Sequence, residues 1–149
     1  MTKQILCAMA AAAVSLLPST VSTVAADQFD PMQCSVKVEY SLNNTVRLLY
    51  ERDFVVGPDA TYSDDFSTFT RFRFFDALLT QEDNVPVVNI AFDSDVSVFS
   101  GVAFRADLKV VDETHGSTTK GVNEFFTSAT GAAGSHRTKY DLTCRRADQ

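Results

Sequence analysis

The sequence predicts an all-β fold: an antiparallel β-sandwich or small barrel of about six to eight strands, its terminal strands joined by a disulfide. Three observations point there. Several segments alternate apolar and polar residues with a period of two. Clusters of Gly, Pro, Asn, Asp and Ser separate them. Cys34 and Cys144 fall on the apolar register of the first and last clear strands. No βαβ rhythm and no internal repeat interrupts this pattern.

Residues 1–26 read as a removable export signal. Lys3 supplies the basic start, residues 5–17 form an apolar run of 13, and Val24 and Ala26 are the small residues before a cut at Asp27. The run is shorter than the roughly 20 residues that span a bilayer. Cys7 belongs to this apolar run. Cleavage leaves 27–149 as one domain of 123 residues, enough for a single core. Without Lys3 the chain has 12 Lys and Arg against 19 Asp and Glu, a charge of −7. Such acidity argues against nucleic acid or an anionic membrane as partner. The destination is the periplasm or the extracellular space, without stable membrane insertion.

Each element follows in order. Residues 27–32 are a polar lead-in. Cys34, Val36, Val38 and Tyr40 make one apolar strand face, and Asn43 and Asn44 a turn. Residues 46–51 predict a strand and 53–56 a short second one. Residues 57–65 predict a loop. Residues 66–79 carry five Phe among Thr and Arg, which favours a strand with Thr70, Phe72 and Phe74 on one face. The start of that segment also suits a loop over the core. Residues 80–84 are a polar break, and Pro86 suits the beginning of a strand in which Val88, Ile90 and Phe92 share a face. Residues 93–95 predict a turn. Val102, Phe104, Ala106, Leu108 and Val110 form the cleanest amphipathic strand, with Gly101 as a bulge or break before it. Residues 112–121 predict a loop or hairpin end. Residues 123–130 hold one short apolar centre, and 131–134 a flexible link. His136, Thr138, Tyr140, Leu142 and Cys144 form one face of the last strand.

Two cysteines in an exported chain favour a bridge. Cys34 and Cys144 are 110 positions apart. Closing such a loop stabilises by roughly 4–5 kcal/mol in the chain-entropy model. Inward registers on both strands are met most simply if the strands pair or face each other across the core.

Motifs for chemistry are sparse. Glu113, Thr114, His115 and Ser117 place an acid, a base and a hydroxyl near one another, but a triad needs a rigid scaffold rather than sequence proximity. Two histidines and two paired cysteines leave no zinc set. No cofactor is expected. Calcium is the weak exception: Asp93 and Asp95 sit two apart, and Asp59, Asp64, Asp65 and 82–84 offer further oxygens, without the spacing of a known calcium loop. Tyr50, Tyr62 and Phe69 are the candidates for stacking a sugar, with no Trp to help. Arg71 and Arg73, Arg105 and Lys109, and Arg137, Lys139, Arg145 and Arg146 would form one basic sheet face. Outward charge that keeps strands from aggregating is the simpler account.

The reading favoured is a binding protein rather than an enzyme. It would recognise another protein, as an inhibitor, immunity factor or adhesion component does. Loop tips at 57–65, 80–86, 93–95 and 112–121 would carry the contact. The candidate partner contacts are Asp59, Tyr62, Asp64, Asp65, Arg71, Arg73 and His115. The alternatives are a carbohydrate-binding or calcium-stabilised surface module, and a small hydrolase using loop carboxylates. The last requires a concave pocket holding an acid with a raised pKa.

Overall fold

A computed structural model describes residues 29–148 apart from 59 and 99. The export signal expected over 1–26 lies outside the described residues, as does Asp59. The described chain is all-β. Its strands are β1 (Met32–Leu42), β2 (Thr45–Val56), β3 (Tyr62–Asp65), β4 (Arg73–Glu82), β5 (Val85–Ser97), β6 (Ser100–Lys109), β7 (Ser117–Thr127) and β8 (Gly134–Arg146). They form two antiparallel four-stranded sheets, ordered β2-β1-β8-β7 and β3-β4-β5-β6.

The connectivity is one continuous meander. Each strand pairs with its sequence neighbour except at β2/β3 and β6/β7, and β8 returns to pair with β1. The cycle would be a closed eight-stranded barrel if ladders joined β2 to β3 and β6 to β7. Neither ladder is present among the described residues, so the barrel opens along two seams and flattens into a sandwich. Sandwich and barrel, the two expected architectures, are therefore one topology here, differing by two missing ladders.

The alternation in β1 is realised without exception from Met32 to Val38, even positions buried and odd ones exposed. Phe75 and Phe92 of the other sheet, fully buried, both meet Tyr50 of β2 in the same core. Burying each such side chain contributes roughly 1.5–3 kcal/mol. Two hairpins turn on adjacent left-handed residues, Asn43-Asn44 (φ 50° and 62°) and Asp83-Asn84 (φ 51° and 62°). Positive φ at both central positions is the turn whose twist matches paired strands, and Asn and Asp tolerate it best. The bridge joins Cys34 to Cys144, direct partners in the β1–β8 ladder. It therefore staples neighbouring strands within one sheet. A buried disulfide of this kind belongs to an oxidising, non-cytosolic compartment.

Several boundaries differ from expectation. Residues 93–95 do not turn: they pair with 101–103 inside β5, and Ser94 is fully buried. The polar side chains of that stretch mimic a turn, while the ladder runs on to the Ser97–Ser100 pair, just past an irregularity. Residues 66–72 are loop, and β4 begins at Arg73. Its buried face is Phe75, Ala77 and Leu79, the opposite register from the one expected. The Phe74-Phe75 doublet suits either phase. Asp95 breaks the tie: its carboxylate accepts from Phe72 N–H at 3.0 Å, and its own N–H donates to Phe72 C=O at 2.8 Å. β2 is one strand, where two pieces were expected. β3 takes 62–65 from the expected 57–65 loop, and β7 begins at Ser117 inside the expected 112–121 loop.

Candidate functional site

The two seams of the flattened barrel are built differently. At β2/β3 the gap is filled by side chains. Tyr50 stacks on Phe66 (4.5 Å) and Phe54 on Tyr62 (4.9 Å), and Phe75 meets both Tyr50 and Phe54 from beneath. Asp64 locks the edge, accepting from Tyr50 Oη–H and from Arg52 Nε–H, each at 2.9 Å. The Tyr50 phenol pKa is raised, first by burial and then by its hydrogen bond to Asp64. The neutral phenol is thus the form that the seam holds.

At β6/β7 the gap is a slot of about 280 Å³. It is lined by 101–104 from β6, by 121–123 and Phe125 from β7, and by Thr138 and Tyr140 from β8. Consecutive strand residues point to opposite faces. Residues of both parities line this slot, so its walls are the edges of the two strands. Among the described residues each edge strand has a ladder on one side alone, β6 with β5 and β7 with β8. The other side of each presents backbone donors and acceptors to the slot.

The inner walls are aromatic. Tyr140 crosses from one sheet to stack on Phe104 of the other, centroids 4.9 Å apart and planes 12° off parallel. It lies over Gly121, its ladder partner, where an added Cβ would come within 2.1 Å of Tyr140 Cε1. Glycine at 121 is therefore what lets the tyrosine bridge the seam. Phe125 stacks on His136 at 4.5 Å and 9°. His136 is 1% exposed and both ring nitrogens are engaged. Nε2 lies 2.7 Å from the Ala132 carbonyl, which can only accept, so Nε2 carries the proton. Nδ1 then accepts from Tyr40 Oη–H at 2.8 Å. The ring thus stacks on Phe125 and ties down the 128–133 loop at Ala132. Burial raises the Tyr40 phenol pKa, keeping that donor protonated.

The residues expected from sequence do not converge. Tyr62 and Asp64 belong to the sealed seam, where they pack and bond internally. Asp65 accepts from Ser67 N–H at 3.0 Å, and hydrogen bonds from Ser67 hold its carboxyl below the usual range. Arg71 lies in the 66–72 loop, and Arg73 begins β4 with its N–H donating to Ser67 Oγ. His115 sits at the opposite end, against Asp112. The Asp112 carboxyl is lowered mainly by the backbone N–H of His115. The basic residues of the β1–β8 sheet do not form a bare positive face. Cross-strand pairs Lys37–Glu51, Lys120–Asp141 (2.5 Å), Arg137–Glu124 (2.7 Å) and Lys139–Glu39 (3.4 Å) neutralise them.

Among the described residues no group of three or more His, Cys, Asp or Glu is placed to hold a metal ion. The slot lining contains no carboxylate. No helix among the described residues is long and apolar enough to cross a membrane. No protein-family model matches the chain, and comparison with curated proteins found no match.

Sequence reasoning missed the slot because it is made by a missing ladder. One signal was present. The face that β7 turns inward is Thr119, Gly121, Asn123 and Phe125, a poor apolar face for a strand that must cover a core.

Proposed function

We propose that this is a binding protein of the periplasm or extracellular space that recognises another protein by taking one of its extended segments into the β6/β7 slot. The observation that carries this reading is the lining: two unpaired strand edges face each other across one gap. An added strand would bond to free backbone on its sides and set apolar side chains on Phe104, Tyr140 and Phe125. That is strand addition, in which main-chain bonds supply affinity and alternate side-chain pockets supply selectivity. The open edge supports it further, because strand edges without a covering partner otherwise invite aggregation. The contact thus moves from the loop tips to an edge. A hydrolase using loop carboxylates has no support from the lining, and neither does a calcium-stabilised module.

The test uses a panel of synthetic peptides of about eight residues, a common strand length, with alternating apolar and polar positions. Binding is read by amide chemical shifts and hydrogen exchange. Peptides that bind should shift and protect amides within 101–104 and 121–125. Val122→Lys, which adds an edge charge, should weaken them about tenfold. A panel that leaves those amides untouched would sink the reading.

A further inference from the structure

Two of the ladders shift register, one in each sheet. Between β1 and β2, Tyr40 pairs with Leu48 and Ser41 with Val46, which leaves Arg47 as the extra residue. Between β5 and β6, Asp95 pairs with Gly101 and Ser97 with Ser100, which leaves Val96 as the extra residue. The other ladders among the described residues run without a shift. Both extra residues line one and the same pocket, of about 180 Å³ between the two sheets. A bulge is a device for re-aiming a side chain. It does so for Arg47: the odd positions of β2 from Leu49 to Val55 are exposed on the outer face, whereas Arg47 leaves that phase and reaches the pocket.

The pocket is apolar with a few polar groups. Leu42 and Val96, both half-buried at the edge of the core, form its apolar wall. Ser97 Oγ and Ser100 Oγ lie 2.8 Å apart on one side. Tyr40 is held there by its hydrogen bond to His136. Burial raises the Tyr40 phenol pKa, and the Ser100 hydroxyl and then the Arg47 charge oppose that rise. The guanidinium is thus close enough to act on the phenol. Arg52, Arg137 and Arg146 each pair with a carboxylate, whereas Arg47 has no ion-pair partner among the described residues. The lining contains no Asp or Glu. Asp95, next to Val96, is engaged outside it, accepting from Phe72 N–H at 3.0 Å.

We propose that this pocket binds a small organic acid, with Arg47 taking the carboxylate and Leu42 and Val96 covering a short apolar body. A guanidinium matches a carboxylate through two parallel N–H donors. One cation in the lining calls for a monoanion. Inorganic phosphate carries more charge and no apolar surface, and would set its oxygens against Leu42 and Val96. The volume of about 180 Å³ is below the roughly 300–1,000 Å³ of pockets that take drug-sized ligands, so the occupant is a small molecule. Mouths of β-barrels are a recurrent place for such sites, and this fold is a flattened barrel. The pocket shares no lining residue with the β6/β7 slot, so this activity is additional to strand binding.

The test titrates the oxidised protein with butyrate, with butyramide as its uncharged match and inorganic phosphate as a second anion. Binding is read by amide chemical shifts. Butyrate should shift the amides of Tyr40, Leu42, Arg47, Val96 and Ser100 and reach saturation, with an affinity in the millimolar range that suits so small a ligand. Butyramide and phosphate should each bind at least about tenfold more weakly. Arg47→Gln should weaken butyrate about tenfold or more, because it removes the charged donor. Arg47 is exposed, and unchanged shifts elsewhere check that the variant is folded. The comparison of butyrate with butyramide on the unmodified protein decides the role of charge even if the variant does not fold. Absence of saturable shifts at the pocket would overturn the proposal, as would equal binding of butyramide or equal binding by Arg47→Gln. Phosphate binding as tightly as butyrate would overturn the assignment to an organic acid.

Discussion

The seams β2/β3 and β6/β7 break the same barrel at opposite edges, yet one is sealed and the other open. At the first, Phe54 and Tyr50 are 4% and 3% exposed, and Asp64 clamps across the edge. At the second, Phe125 is 47% exposed and Val122 59%. The contrast separates two uses of aromatic residues. At the sealed seam they supply stability. At the open seam they are held in place by Tyr40, His136 and Gly121 and remain accessible. A missing ladder does not by itself make a binding site; what fills the gap decides.

The largest expected effect breaks the sealed side. Phe54→Ala removes a ring that stacks on Tyr62 and meets Phe75 edge-on at 5.3 Å. Truncating a buried phenylalanine costs about 3–5 kcal/mol. Urea unfolding should show that loss, and slot amides should keep their native shifts until global unfolding begins. Early loss of the slot signals would mean that the seams are not independent.

A smaller effect follows from the Tyr50 phenol. Its pKa is raised in the folded state by burial and then by Asp64. A raised folded value means that the neutral phenol stabilises the fold. That contribution is complete below the unfolded value of about 10 and is lost as pH rises above it. One proton corresponds to a slope of up to about 1.4 kcal/mol per pH unit. Denaturant midpoints should therefore fall above pH 10, and Tyr50→Phe should flatten that decline. Tyr40, also raised by burial, should leave a residual slope. An unchanged slope in Tyr50→Phe would show that the β2/β3 clamp does not resist alkali.

What was legible in the sequence follows from which signals are local. The fold class and disulfide rest on period-two alternation and on the registers of Cys34 and Cys144, both local and strong. The Asn43-Asn44 turn is equally local, because its backbone requires residues that tolerate positive φ. The register of β4 was not legible. A Phe doublet satisfies both phases, and a distant residue, Asp95, decides between them. Nor was the slot, since whether β6 meets β7 depends on the relation between sheets. Sequence placed candidate contacts on charged loops, whereas the structure draws attention to Gly121, Phe125 and Tyr140, which carry no charge.

The smallest expected effect on stability sharpens the contrast most. Phe125→Ala removes one wall of the slot and the ring stacked on His136. About half of Phe125 is already in water, so less apolar area is lost than at Phe54. The cost should be about 1 kcal/mol or less by that area. His136 keeps both of its hydrogen bonds, to Tyr40 and Ala132, because neither involves Phe125. Peptide affinity should nonetheless fall about tenfold, as expected when an aromatic anchor of an interface is truncated. Urea unfolding and peptide titration on one preparation measure both. A variant that loses several kcal/mol would make Phe125 a core residue like Phe54, and the two seams would then differ in exposure alone. A variant that keeps both stability and affinity would leave the ring without a role in the slot.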